Sequence, residues 1–345
     1  MRAETPTARL RASGLVAMVL LLGGLSLGEM HVFQRLLFDP RHPDYDFVLL
    51  NVRLVLEGTP VSLSWQQRLL GPLAVTALQS LTHDPLNALA LFFALALVAA
   101  NALLCAIVWR STHSLSRCAL CVIGFGLARL LLLYRLEYPW DQIDVLLFLA
   151  FGAWAVEAGS LLRLWPLLLL GLFNHETVLY VPFYYLLPRS SAAPADRPRR
   201  RELVEATSTA VVLALAIQAV RNSLYRGRPN LPGQVFEPAL SGVGNHFHLV
   251  HNLRQVVFED FHAGRSRIAA SLLAVMALLV AMVWRNTHRR AAVFSLCVIA
   301  SIFCFGYVNE TRHYLPLMAF WLAHGWPDKP AGSTLRSFTQ GDCGE

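Results

Sequence analysis

Two carboxylates stand two residues apart, at Asp44 and Asp46, in the stretch His-Pro-Asp-Tyr-Asp-Phe. A carboxylate in such a position can accept the proton of an attacking hydroxyl or coordinate a divalent cation. Pro and Asp are also typical of a solvated turn in which an Asp side chain caps the backbone. The pair is therefore the candidate catalytic site, and a turn is its alternative interpretation.

Two arginines stand at the ends of apolar runs. Arg68 precedes a run at 69–81, and Arg312 lies in Asn-Glu-Thr-Arg-His-Tyr before the last run. Arginine binds phosphate through a planar bidentate fork, and Arg312 is the better candidate for this role. Arg68 also suits a side chain that extends along apolar surface to the interface. Glu310 and His313 flank Arg312 and are candidate substrate-binding residues.

An aromatic and acidic stretch, Tyr-Pro-Trp-Asp-Gln-Ile-Asp, opens another apolar run. Asp141 and Asp144 are three residues apart at a predicted helix start, so they share a face and suit the positive helix terminus. Capping alone would explain one of them. Two acids beside Trp140 indicate a polar and aromatic pocket for a sugar.

Asn174, His175 and Glu176 interrupt the middle of the apolar run 164–187. A charged group at the centre of a membrane helix costs about 2.5–3.5 kcal/mol on insertion scales, so such residues usually face a partner or a cavity. A structural pairing of Glu176 with Arg129 or Arg312 would explain it. The alternative is a role in binding substrate or handling protons.

Two further patterns do not support a metal site. The loop histidines His246, His248 and His251 cannot all be presented by one strand or helix, which favours an interfacial amphipathic loop. Cys118 and Cys121 form a CxxC within an apolar run, where cysteine usually behaves as a small hydrophobic residue. No metal ligands are therefore assigned, although a divalent cation at the two aspartates stays open.

The elements that carry these residues are apolar runs. The 345-residue chain is 55% hydrophobic and 15% charged, whereas soluble domains carry about 25% charged residues. This predicts an all-α, polytopic transmembrane helical bundle of about nine or ten segments, some of them short or re-entrant. The net charge is +7, but nucleic-acid binding is disfavoured because no soluble basic domain carries it. The apolar runs lie at 14–30, 69–81, 86–109, 118–133, 143–162, 164–187, 206–220, 268–284, 291–308 and 314–326.

Arginine-rich loops set the predicted orientation, because cytoplasmic loops carry an excess of positive charge. They predict a bacterial inner (plasma) membrane protein with both termini in the cytoplasm. The predicted parts are an N-terminal membrane half at 1–187 with a long outer loop at 31–68, a cytoplasmic linker at 188–203, a C-terminal membrane half at 204–326, and a cytoplasmic tail at 327–345.

One conflict arises in this topology. The loop 110–117 also looks cytoplasmic, yet three apolar runs separate it from the cytoplasmic linker. Either one run does not cross, with the broken run 164–187 as the main suspect, or the loop lies outside.

These motifs together resemble the GT-C class of polytopic membrane glycosyltransferases and related bacterial membrane proteins. The resemblance spans roughly residues 14–326 and rests on the acidic outer loop, the stretch Trp65 to Pro72, the Tyr138 to Asp144 loop, the Asn-His-Glu-Thr break and Asn-Glu-Thr-Arg-His-Tyr-Leu-Pro. The chain is short for the class. It also lacks the sizeable C-terminal outer domain that many members use to bind acceptors.

The resemblance implies inverting transfer of a sugar from a polyprenyl-phosphate donor, in envelope polysaccharide or glycolipid assembly. The partners would be the lipid bilayer and the lipid-linked sugar donor, on the extracytoplasmic side. It implies Asp44 or Asp46 as base or metal ligand, and Arg68 and Arg312 as phosphate ligands. The acceptor or sugar pocket would be lined by Asp141, Asp144, His175 and Glu176. A transporter or flippase of a lipid-linked or small polar substrate, or a non-catalytic membrane protein, is the alternative.

Overall fold

The computed structural model describes residues 18, 20–31, 43–58, 68–132, 137–155, 161–187, 200–225, 249–255, 258, 274–278, 281, 289–305 and 311–324. Every regular element in these residues is helical, which confirms the predicted all-α class. The helices are α1 (20–31), α2 (Pro43–Glu57), α3 (Leu70–Thr82), α4 (Pro85–Thr112), α5 (Leu115–Leu132), α6 (Pro139–Ala155), α7 (Trp165–Leu172), α8 (Tyr180–Leu186), α9 (Arg200–Tyr225), α10 (Leu249–Arg254), α11 (Arg289–Phe305) and α12 (Leu315–His324).

Two predicted loops contain helix. The outer loop 31–68 holds the 15-residue helix α2, so Asp46 lies in a helix and not in a turn. Pro43 opens this helix, where its missing N–H costs nothing. The predicted linker 188–203 ends in α9, which begins at Arg200.

The longest helix, α4, has clear signals at both ends. The Asp84 side chain caps its first turn by accepting from the N–H groups of Leu86 and Asn87, at 3.3 and 3.2 Å. Pro85 follows at the first helical position, which suits a helix start. His113 ends the helix in a left-handed conformation, with φ at 51°. With 28 residues α4 is about 42 Å long.

Two hydrophobic cores meet along α4 and α6. The smaller core joins α2 and α3 to the first half of α4 and includes Tyr138 and Trp140. The larger joins the second half of α4 to α5, α6, α7, α8, α9, α11 and α12. On α6, Trp140 belongs to the smaller core and Val145 to the larger. The two acids between them in the sequence therefore lie where the cores meet.

The run 164–187 is two short helices, α7 and α8, as its polar interruption predicts. Both helices extend from the break in the same direction along α6. A Cβ on Gly171 of α7 would touch Leu147 and Val178, while the Tyr184 ring of α8 packs edge-on to Phe151, at 5.2 Å between centroids. Leu147 and Phe151 lie successively further from the start of α6. The pair therefore forms a hairpin and not one continuous helix.

Two helices in the described part of the chain are, by length and composition, able to cross a membrane. They are Pro85–Thr112 and Arg200–Val220, and 56% and 22% of their apolar windows are buried. Two shorter apolar helices span Leu161–Leu172 and Ala292–Cys304. The larger number of segments stays a prediction.

Candidate functional site

The start of α3 lies directly against the start of α6. A Cβ on Gly71 would stand 2.7–2.8 Å from the Cβ and carbonyl carbon of Pro139 and from the backbone nitrogen of Trp140, so only glycine allows this approach. The N–H groups of Leu69 and Leu70 both donate to the carbonyl oxygen of Phe173, at 2.8 and 3.1 Å. Because the helix ends at the break, this carbonyl oxygen has no partner within α7. The free N–H groups at the start of α3 and the free carbonyl at the end of α7 therefore satisfy each other's hydrogen bonds. Arg68 is thereby fixed beside both.

An acidic residue in the first turn of α6 caps the start of that helix. Asp141 accepts a hydrogen bond from the N–H of Tyr138 at 3.0 Å, which is the reciprocal half of a capping box. Tyr138 and Trp140 stack with 4.6 Å between centroids and 8° between planes. Both rings are buried, so in this conformation they support other side chains and do not form an open sugar platform.

Asn174 joins the break to α6. Its amide nitrogen donates to the carbonyl oxygen of Trp140 at 2.9 Å and to Asp144 Oδ1 at 2.7 Å. The Thr177 hydroxyl donates to the same carboxylate oxygen at 3.1 Å. Asn174 is fully buried, so these bonds replace the water that its amide would otherwise bind. They hold the break at the level of Asp144.

His175 lies between a guanidinium and two carboxylates. Arg68 Nη2 is 2.7 Å from His175 Nε2. His175 Nδ1 is 3.4 Å from Glu176 Oε2 and 3.7 Å from Asp144 Oδ2. Arg68 also approaches Glu176, at 4.0 Å. Arg68 is therefore a cationic neighbour of Glu176 that the sequence did not suggest, since the pairing expected there was with Arg129 or Arg312.

Arg312 reaches the same site from the 3-10 turn Thr311–Tyr314, which precedes α12. Its Nε is 3.2 Å from Asp141 Oδ2, and its guanidinium lies 5.1 Å from the centroid of the Tyr138 ring. The guanidinium of Arg68 lies in the same way 5.6 Å from the Trp140 ring. Each ring of the stacked aromatic pair therefore supports one arginine.

We call Arg68, Asp141, Asp144, His175, Glu176 and Arg312 the polar cluster. It contains two arginines, three acids and one imidazole, and it is built at the starts of α3 and α6, at the α7–α8 break and at the turn before α12. The helix N-termini that face it carry partial positive charge, whereas the end of α7 at the break carries partial negative charge. Burial lowers the pKa of Arg68, and the carboxylates of Glu176, Asp141 and Asp144 oppose that shift.

A second ion pair lies outside the cluster. Arg129 Nη2 donates to both oxygens of Glu137, each at 3.1 Å, and both side chains are buried. Burial raises the pKa of Glu137 to about 7, against the lowering effect of Arg129. Nearby, Asn101 donates to Glu29 Oε2 at 2.9 Å and to the Ser26 hydroxyl at 3.1 Å. These bonds fasten α1 to α4, as polar side chains do between membrane helices.

The structure brings together most of the residues singled out from the sequence. Trp140 and Asn174 contact the polar cluster directly, and the His313 ring lies 6.0 Å from the His175 ring. Asp46 is on the exposed face of α2, while Tyr45 and Val48 of the same helix face the smaller core. The Asp44 side chain and Glu310 lie outside the described residues, as do Trp65, His246 and His248.

Thr177 and Gln142 have no role that the sequence alone indicates. Thr177 ends the polar interruption and holds Asp144; its place in the Asn-His-Glu-Thr string was the available signal. Gln142 is 1% exposed, and neither polar atom of its side chain has a hydrogen bond within the described part of the chain. Burying an amide without hydrogen bonds costs free energy. In the sequence, Gln142 stands between Asp141 and Asp144, whose charges are the more obvious signal.

Among the residues that the structure describes, no three His, Cys, Asp or Glu side chains are grouped as metal ligands. Cys105, Cys118 and Cys121 are buried free thiols, in keeping with their interpretation as small hydrophobic residues. No family model matches the chain, and neither the curated proteins nor the solved structures contain a significant match to it.

Proposed function

We propose that the chain is a polytopic inner-membrane glycosyltransferase of the GT-C type. It would take a sugar from a polyprenyl-phosphate donor and transfer it to a hydroxyl acceptor on the extracytoplasmic face, in the assembly of an envelope polysaccharide or glycolipid. The polar cluster is its active site. Three kinds of observation support this: the exposed faces of the helices, the positions of their ends, and the composition of the cluster.

The exposed faces of the helices are apolar. On α5, Leu120, Ile123 and Leu127 follow helical spacing and are between 46% and 58% exposed. On α9, Val211 and Leu215 are 53% and 65% exposed. Water would make contiguous apolar faces of this kind unfavourable, whereas lipid solvates them. These faces support a membrane-embedded bundle.

If α7 and α8 form a re-entrant hairpin, the other helices can cross the membrane in alternating directions without placing the arginine-bearing loops on opposite sides. The Cys121 thiol of α5 donates to the carbonyl oxygen of Leu322, near the end of α12, and the N–H of Leu162 donates to Glu205 near the start of α9. Both contacts belong to the end opposite the polar cluster. The arginine-bearing loop 110–117 and the arginines at the start of α9, Arg200 and Arg201, then lie on one side, as the positive-inside rule requires. The polar cluster lies on the other side, which removes the conflict in the topology.

The observation that carries the proposal is the meeting of Arg68 and Arg312 with three acids at the starts of apolar helices. Arginine and helix N-termini both favour a phosphate group. A leaving phosphate gains charge as the glycosidic bond breaks, so fixed positive groups there stabilise the transition state more than the ground state. The neighbouring acids supply hydrogen-bond acceptors for sugar hydroxyls and a proton acceptor for the attacking hydroxyl.

The test uses the full-length protein in proteoliposomes containing a polyprenyl-phosphate hexose radiolabelled in the sugar. Transfer releases polyprenyl phosphate and moves the label to a water-soluble acceptor or to water. We expect Arg312→Gln and Arg68→Gln to slow release by at least about 100-fold. Arg201→Gln, at an exposed arginine of α9, is the control and should retain activity. Absence of release by the wild-type protein with any such donor would reject the proposal.

A transporter or flippase is the second candidate, favoured by the break between α7 and α8. Broken helices form substrate sites at the membrane midplane in many transporters. The same proteoliposomes distinguish the two functions. A transporter moves the intact labelled donor between leaflets without cleaving it, whereas a transferase separates the sugar from the phosphate.

A further inference from the structure

The acids of the polar cluster differ in exposure. The side chains of Asp141 and Asp144 are 6% and 7% exposed, whereas that of Glu176 is 30% exposed. A general base must reach the proton of the attacking hydroxyl directly or through one water. Exposure alone therefore favours Glu176 over the two aspartates.

The two aspartates are also engaged in holding the fold. Asp141 accepts the N–H of Tyr138 and pairs with Arg312, and Asp144 Oδ1 accepts from Asn174 and Thr177. Protonating either carboxylate during turnover would weaken bonds that fix α6 and the break. Glu176 Oε2 lies 3.4 Å from His175 Nδ1 and 4.0 Å from Arg68 Nη2. With 30% of its side chain exposed, it is the acid of the cluster that a substrate hydroxyl can reach.

His175 is oriented by Arg68. A guanidinium only donates hydrogen bonds, so His175 Nε2, at 2.7 Å, must accept from Arg68. A neutral ring then carries its proton on Nδ1, which lies 3.4 Å from Glu176 Oε2 and 3.7 Å from Asp144 Oδ2. The N–H of Thr177 lies 3.3 Å from the same Nδ1, but one neutral ring cannot accept at both nitrogens. The shorter, charge-assisted contact with Arg68 decides the tautomer.

We infer that Glu176 is the general base of the reaction and that His175 is the residue that positions it. This assignment rests on the proposed transferase function and differs from the role that the resemblance implied for Asp44 or Asp46. Glu176 takes the proton of the acceptor hydroxyl while the hydroxyl oxygen forms a bond to the anomeric carbon of the donor. The bond from that carbon to the phosphate oxygen breaks, and its electron pair leaves with the polyprenyl phosphate. The donor phosphate replaces Glu176 as the partner of Arg68.

The experiment compares Glu176→Gln, Glu176→Ala and Asp46→Asn in the same transfer assay. Glu176→Gln should lower kcat by about 10²- to 10⁴-fold, the usual contribution of a general base, and should still bind polyprenyl phosphate. Added sodium formate should restore part of the activity of Glu176→Ala, because a small carboxylate can occupy the space of the lost side chain. A side chain with only a structural role would not give this rescue. The exposed control Glu57→Gln should keep a near wild-type rate, and loss of turnover in Asp46→Asn but not in Glu176→Gln would return the role of base to Asp46.

A separate set of measurements tests the positioning role of His175. His175→Asn should lower kcat much more than it changes the KM for the donor, and formate should not rescue it, because the carboxylate of Glu176 is still present. Glu176→Gln with unchanged turnover, or formate that fails to rescue Glu176→Ala, would overturn the assignment while leaving the transferase proposal standing. A wild-type protein that cleaves no donor would reject both. If Glu176→Gln does not fold, Glu176→Asp and Glu176→Ala with formate decide the question.

Discussion

Two buried amides in adjacent segments have different surroundings. Among the described residues, Asn174 makes two hydrogen bonds through its amide nitrogen, although its Oδ1 has none, whereas Gln142 makes none through either atom. An unsatisfied buried polar group costs about 1–3 kcal/mol, and removing a donor on which two buried acceptors depend costs a similar amount. We therefore expect Gln142→Leu to raise the free energy of unfolding and Asn174→Leu to lower it, each by about 1–3 kcal/mol. Chemical unfolding in detergent micelles measures both. A loss of stability in Gln142→Leu would show that this amide has a partner.

Glu137 gives the protein a dependence on pH. Its pKa is raised from the usual 4.5 to about 7, so the unfolded chain loses this proton at a lower pH than the folded chain. The stability contribution is complete below a pH of about 4.5 and is lost as the pH rises to about 7. At about 1.4 kcal/mol per pKa unit the loss is on the order of 3 kcal/mol. Unfolding free energies between pH 4.5 and 8 measure it. Glu137→Gln is the matched control, and an unchanged pH dependence in that variant would assign the effect to another group.

The individual polar residues could be found from the sequence, because charged side chains in apolar runs are few and expensive. Their partners could not. The sequence suggests Arg129 or Arg312 for Glu176 and gives no sign of Arg68, which lies 4.0 Å from it because the start of α3 docks on the break through the carbonyl oxygen of Phe173. Pairing depends on which helix ends meet, and a single sequence contains no record of that.

At the scale of elements, the contact between α3 and α6 depends on one missing side chain. A methyl group at Gly71 would overlap the backbone of Pro139 and Trp140, so Gly71→Ala must push the two helices apart. Overpacking of this kind costs about 1–3 kcal/mol, and the displacement of Arg68 should lower activity as well. Gly24→Ala is the control, because nothing lies within 4 Å of a Cβ at that position of α1. Melting temperatures in detergent test the pair. Equal effects of the two substitutions would contradict the close approach.

Most helices could be predicted from apolar runs, and the polar interruption predicted the division into α7 and α8. The direction of α8 could not be predicted, because it depends on ring contacts between distant residues, such as those of Tyr184 with Phe151 and Phe294. The sequence predicts no helix within the outer loop 31–68, and a turn is one of its two interpretations of Asp44 and Asp46, since Pro and Asp suit turns and helix starts equally well. The buried positions of α2, among them Val48, Val52 and Val55, show a helical spacing that lay in a stretch too short and polar to count as a membrane segment.

At the scale of the whole molecule, the proposed membrane arrangement uses the hairpin of α7 and α8 to bring the loop 110–117 and the start of α9 to one side. A continuous helix would separate them. The same arrangement leaves the polar cluster at the opposite side, at the junction of the two cores. Under the proposed function, catalysis at one face of the membrane and the positive-inside orientation would both depend on this hairpin.

Cysteine labelling in intact cells tests this feature most directly. Single cysteines at the exposed positions Asp46, Phe173, Ser116 and Arg201 would be introduced after replacing the six native cysteines, and treated with a membrane-impermeant thiol reagent. We predict that positions 46 and 173 react from outside, and that positions 116 and 201 react only after permeabilisation. Labelling of 116 and 201 from opposite sides, or of 173 only after permeabilisation, would contradict a re-entrant hairpin and an extracytoplasmic active site.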